Sequence, residues 1–242
     1  MENANWVASA CLWAANEPRI DGTLKLWELN DTPITMNRNR AVKTAIDSGI
    51  DILVMIDSDM AFDIDKSHPF LPHAFDFIVS RWHKAPTIIS APYCTGGPAH
   101  LPIMGTWRTE KDGFAVKAEL YTREEAAALT GIQPCSLQAT GLMAIDMRVF
   151  TGFEVNGEVV KLPPPWFDYE WTDEYRTHKA STEDMVFSRN VTLLFARHGM
   201  EIGYVDWSSW SYHIKPEFVG KPNLLSLEDI ARSGLVPIPG KE

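Results

Sequence analysis

The sequence predicts an α/β protein built on a layered, mixed sheet. Three observations carry that prediction. Helical and strand-like segments alternate over the first 93 residues. Two of the strand segments, Asp51–Asp57 and Thr87–Tyr93, are near-continuous apolar runs of the kind buried in parallel sheets. The first run ends in two acids one residue apart, Asp57 and Asp59, at the end of the strand where open α/β sheets hold ligands.

Residues 3–16 form the first expected helix, with Asn3 or Asn5 as its cap and the Glu-Pro after Asn16 as its stop. Thr23–Leu29 alternates like a short strand. Pro33 and Thr35 lead into a helix over 36–48, closed by Gly49. The strand 51–57 follows, then a helix over Pro69–Trp82 and the strand 87–93. From about 100 to 120 the pattern alternates as in a hairpin. Thr122–Thr130 is a short helix and Leu142–Ile145 a short strand; Met147–Phe153 turns away from it. Three prolines at 163–165 forbid helix in the aromatic segment 163–176. Ser181–Gly199 is a helix capped by Ser181 or Thr182, and Ile202–Val205 and Ser209–Ile214 are strands. These elements read as one domain over 1–214, with halves at about 1–95 and 96–214, followed by a tail, 215–242.

A chain of 242 residues suits one domain with a sizeable core. At 45% hydrophobic and 22% charged it is not disordered in composition. A net charge of −10 without a basic run argues against a duplex nucleic-acid binder. Cys11, Cys94 and Cys135 form no paired motif, which fits a reducing compartment. No apolar run approaches the ~20 residues needed to span a membrane. Met1–Trp6 lacks the basic and apolar regions of a signal peptide, so a cytoplasmic setting is expected.

Five groups of residues bear chemistry. Asp57-Ser58-Asp59 would suffer charge repulsion unless a proton or cation sits between its acids, and a divalent metal holding a phosphate is the economical occupant. A turn whose acids cap the next element has the same sequence. Arg38-Asn39-Arg40 opens a helix, where anions are favoured and cations oppose the dipole; one arginine of the pair is a solvated surface residue. Glu183 and Asp184 begin another helix, either as plain first-turn acids or with one of them as a general base. His213 ends a late strand, as a structural histidine or as a third ligand in a mixed oxygen and nitrogen site suiting Mn²⁺ better than Mg²⁺. Trp166, Phe167, Tyr169, Trp171 and Tyr175 suit carbohydrate stacking, or fill the core.

In this order, over residues 3–214, the set resembles the GT-A class of nucleotide-sugar glycosyltransferases, especially the family-2-like group. Arg38-Asn39 resembles the family's Ala-Arg-Asn helix start beside the nucleotide. Asp57-Ser58-Asp59 looks like its Asp-x-Asp signature. Thr140–Ile145, with Gly141, is similar to the turn and strand near the acceptor and donor sugar. Thr182-Glu183-Asp184 is similar to the motif of inverting members, whose aspartate is the base. His213 matches the late histidine of the metal site. The resemblance implies a GT-A (Rossmann-like) three-layer mixed sheet and an Mn²⁺ or Mg²⁺ cofactor. It implies a nucleotide-diphosphate sugar donor met by Arg38, Asn39, Asp57, Ser58 and Asp59, and a carbohydrate or other hydroxyl-bearing acceptor met by Gly141, Trp166, Tyr169 and Trp171. The metal ligands would be Asp57, Asp59 and His213, and the catalytic pair Asp184 and Glu183. Two departures stand out. The family's first strand has no counterpart before Met1, so the sequence is expected to begin downstream of it. The Gln-x-x-Arg-Trp motif of processive synthases is absent. A sugar-nucleotidyltransferase and an inactive carbohydrate-binding module are the competing readings; a HAD-like phosphotransferase fits less well, because Ala61 stands where it needs Thr or Val.

Overall fold

A computed structural model describes residues 2–25, 33–63, 66–94, 102–109 and 116–214. The elements run α1 (Glu2–Asn16), α2 (Ile34–Asp47), β1 (Ile52–Ile56), β2 (Met60–Ala61), α3 (Phe70–Arg81), β3 (Ile88–Ser90), β4 (Gly105–Thr109), β5 (Val116–Leu120), α4 (Arg123–Ala128) and β6 (Ile132–Pro134). They continue with β7 (Leu142–Asp146), α5 (Arg148–Thr151), β8 (Phe153–Val155), β9 (Glu158–Val160), β10 (Glu170–Trp171), β11 (Lys179–Ser181), α6 (Glu183–Ala196), β12 (Gly203–Asp206) and β13 (Tyr212–His213).

Five strands form one mixed sheet in the order β1-β7-β3-β12-β6. β7 is antiparallel to both β1 and β3, β12 is parallel to β3, and β6 is antiparallel to β12. β1, β3 and β12 therefore point the same way. Successive side chains of a strand serve opposite faces, and β7 shows how this layers the molecule. Leu142 and Ala144 join Phe70, Ala74 and Ile78 of α3 on one face. Met143 and Ile145 join Val42 and Ala45 of α2 and Phe187, Val191 and Phe195 of α6 on the other. The protein is thus an α/β fold with helices on both faces of a mixed sheet.

The apolar run at 51–57 predicts a buried parallel strand. β1 instead pairs only with β7, antiparallel, among the described residues, and its burial alternates between half-buried and buried. The run is apolar because both faces are covered: Leu53 and Met55 lie in one core, and Ile52, Val54 and Ile56 pack against the other. The strand expected at Thr23–Leu29 lies largely outside the described residues, and residues 23–25 are irregular. The tail from 215 onward also lies outside them.

Helix ends follow their local chemistry. Gly49 takes a left-handed φ of 66° after α2, as Gly199 does, at 70°, after α6. Thr122 and Glu125 form a reciprocal capping box on α4. The expected hairpin at 100–120 is present as β4 and β5, with Trp107 opposite Ala118.

Candidate active site at the carboxyl end of the sheet

Asp57 leaves the carboxyl end of β1, where its backbone N–H donates to Gly141 O at 2.9 Å and extends the β1–β7 pairing. Arg38, on the first turns of α2, reaches this point from one side. Its Nη2 donates to both oxygens of Asp57, at 3.0 and 3.1 Å. Its Nη1 donates to Glu183 Oε1 at the start of α6. Arg38 is only 7% exposed, and so is Glu183. A guanidinium is the cation suited to such a place, because its planar fork satisfies two carboxylates at once.

The site nonetheless holds more negative charge than one arginine balances. Asp184 lies beside Glu183, and Asp59 lies two residues beyond Asp57. Burial holds the Asp57 carboxyl above its usual range against the lowering effect of Arg38, and the charges of Asp59 and Asp184 add to the rise. Glu183 is raised in the same way: burial leads, Arg38 opposes, and Asp184 and Asp57 contribute. Asp184 Oδ1 accepts from the Thr182 hydroxyl and from Met185 N–H at 2.8 Å, so the Thr182 side chain serves the acid rather than capping the helix.

Ser58 and Asp59 are exposed. The segment after them is held by two distant elements. Trp6 of α1 packs on Phe62 at 4.8 Å and donates to Asp63 at 2.5 Å. β13 pairs with β2, setting the backbone of His213 opposite Met60, and Ile214 N–H donates to Asp59 O at 2.6 Å. The His213 and Asp59 backbones, 154 positions apart in the sequence, are thereby brought together. Among the described side chains, no group of three His, Cys, Asp or Glu is arranged to hold a metal.

Asn39 and the expected acceptor residues occupy different roles from one another. Asn39 Nδ2 donates to Thr35 O at 2.8 Å and Phe167 O at 2.6 Å, while its Oδ1 accepts from the N–H groups of Trp166 and Phe167 at 2.9 and 3.1 Å. It therefore clamps the proline-rich segment to α2. Trp166 donates its indole N–H to Leu162 O and packs against Phe150, so it belongs to the core edge. Phe167 stacks on Phe187 of α6, centroids 4.3 Å apart. Tyr169 and Trp171 meet edge-on at 5.7 Å on the β10–β11 ribbon, which leads directly into Glu183. Lys179 Nζ sits 3.6 Å over the Tyr169 ring, and Glu170 is paired with Arg189 of α6 at 2.7 Å. Arg40 is exposed.

Gly141 lies against Tyr93. A Cβ at 141 would fall 2.7 Å from Tyr93 Cε1 and 3.0 Å from Cζ, so only glycine lets the ring lie there. Tyr93 follows β3 and is 6% exposed, and burial together with the charges of Asp184 and Asp57 holds its phenol well above the usual range. Motif spacing does not single out Tyr93; its one signal in the sequence is a polar-tipped aromatic at the end of the run 87–93.

No protein-family model and no curated protein matches this chain. Among solved structures, the crystal structure of A197 from STIV is similar with a TM-score of 0.45 and 15% identity, over 78% of this chain and 71% of that one. At that level of likeness nothing is carried over from it.

Proposed function

We propose that this protein is a metal-dependent glycosyltransferase of GT-A type, moving a sugar from a nucleotide-diphosphate donor to an acceptor hydroxyl with inversion. One observation carries the reading. Arg38, Asp57 and Glu183-Asp184, spread over 146 positions, meet at one end of the sheet, with Asp59 beside the backbone of His213. These are the motifs on which the family resemblance rests. The mixed sheet, with antiparallel β7 between β1 and β3, is compatible with the same fold.

In this reading a hard divalent cation would be held by few groups. Asp59 is exposed and offers oxygen, which suits Mn²⁺ or Mg²⁺, and His213 would add the nitrogen that favours Mn²⁺. Asp57 has both oxygens bonded to Arg38, so it would act through a bound water. Such a cation neutralises a leaving diphosphate. Arg38 holds buried Glu183 and half-buried Asp57 and adds positive charge to the donor end. Asp184 is the base: the acceptor oxygen bonds to the anomeric carbon, its proton passes to Asp184, and the bond from that carbon to the diphosphate oxygen breaks. Glu183, bonded to Arg38, orients this turn. Tyr169 and Trp171 supply aromatic surface for the acceptor.

The test is thermal unfolding with UDP, GDP, CDP, dTDP and ADP, each with Mn²⁺ and with EDTA. A ligand at 100 times its Kd stabilises by about 2.7 kcal/mol. A shift that needs both Mn²⁺ and one diphosphate is expected, and the matching nucleotide sugar should release free nucleoside diphosphate. Absence of any metal-dependent shift overturns the reading, and release of pyrophosphate replaces it with nucleotidyl transfer.

A further inference from the structure

Glycosyl transfer accounts for the two acid pairs but not for buried Tyr93, which lies against Gly141. We propose that Tyr93 is a positioning residue of this reaction, whose phenol braces the Thr140-Gly141 turn and so sets the spacing between Asp57 and Asp184. The inference rests on the glycosyl-transfer reading and deepens it.

Three contacts make the brace. Tyr93 stands at the carboxyl end of β3, the strand on the far side of β7 from β1, with its ring over Gly141 at a distance no side chain would permit. A hydrogen bond from the Gly141 backbone works against the rise of the phenol. Gly141 O in turn accepts from Asp57 N–H at 2.9 Å. The phenol, the glycine peptide and Asp57 are therefore linked in series across three strands. Among the charges that raise the phenol, Asp184 leads and Asp57 follows. A rigid aromatic with a polar tip suits such a brace, since its body fills the gap at the sheet end and its oxygen fixes one backbone group. An error of about 1 Å in such a spacing is enough to cost a reaction 100-fold without abolishing binding.

The variants are Tyr93→Phe, which keeps the ring and removes the bond to Gly141, and Gly141→Ala, which drives the ring away. The probes are UDP-glucose, GDP-mannose and dTDP-glucose with Mn²⁺, with turnover read as released nucleoside diphosphate. For whichever donor the wild type uses, Tyr93→Phe should lower kcat at least about 10-fold. It should leave KM for that donor within about 2-fold and keep the Mn²⁺-dependent thermal shift of the matching diphosphate. Gly141→Ala should lower kcat further. An unchanged kcat in Tyr93→Phe overturns the inference. So does a parallel loss of kcat and diphosphate binding, which marks a merely structural tyrosine. A wild type that turns over none of these donors and shows no metal-dependent shift overturns the glycosyl-transfer reading itself, and is recognised by the wild-type arm alone.

Discussion

At the scale of single residues, Arg38→Leu tests the charge balance of the site most directly. Removing one partner of a buried ion cluster costs about 3–5 kcal/mol, because the remaining charges stay buried. The pH dependence has a defined sign. The carboxyls of Asp57 and Glu183 stand above their ordinary 3.8 and 4.5, and Arg38 is the group that lowers them. A raised carboxyl binds a proton in the folded state that the unfolded chain has released. Stability from such a group is whole below its unfolded value and is lost as pH rises through the folded one. Without Arg38 both values rise further, so the penalty should be largest near neutrality and shrink towards about pH 5. Urea unfolding at the two pH values measures it, and an equal penalty at both contradicts the account. Asp59→Ala is the complementary change. Asp59 is exposed, so stability should stay within about 0.5 kcal/mol, while the Mn²⁺-dependent nucleotide shift expected from the proposed function should disappear.

At the scale of elements, Asn39 ties the segment at Trp166 and Phe167 to α2 through a single side-chain amide. Asn39→Ala leaves those backbone groups without their partner and should cost about 2–3 kcal/mol. Amide exchange at 166 and 167 should rise well before exchange in β7. Several elements were legible in the residues themselves. Glycines marked the ends of α2 and α6, and alternation marked the β4–β5 hairpin. The β8–β9 hairpin was not among the expected elements, although Asn156-Gly157, with φ values of 52° and 80°, forms a tight hairpin turn. That β1 pairs only with β7 among the described residues was not legible, because an apolar run records burial of both faces and says nothing of what lies beside the strand. Nor was β2, two residues long, which pairs with β13 inside the strand expected at 209–214. Of the site, the acids and Arg38 were legible as residue types; that Arg38 binds acids on both sides was not, since no local pattern records a contact spanning 145 positions.

At the scale of the whole molecule, Phe187 joins the layers. It is fully buried, stacks on Phe167, approaches Phe150 at 6.0 Å and shares its core with Ile88 and Ile145. Phe187→Ala should cost about 3–5 kcal/mol, read by denaturant unfolding. A slower nucleotide-sugar turnover should accompany it, since α6 carries Asp184. The smallest sheet has the longest reach in time. Because β13 must cross from residue 212 to meet β2 at residue 61, the turn bearing Asp59 cannot be completed while the chain is still emerging from the ribosome at that point. More than 150 residues must follow first, at about 5–20 residues per second. The nascent protein is therefore held in an incompetent form until nearly all of its described fold has been synthesised, and a nascent chain arrested short of residue 212 should keep much of its core yet gain no protection from Mn²⁺ and nucleotide.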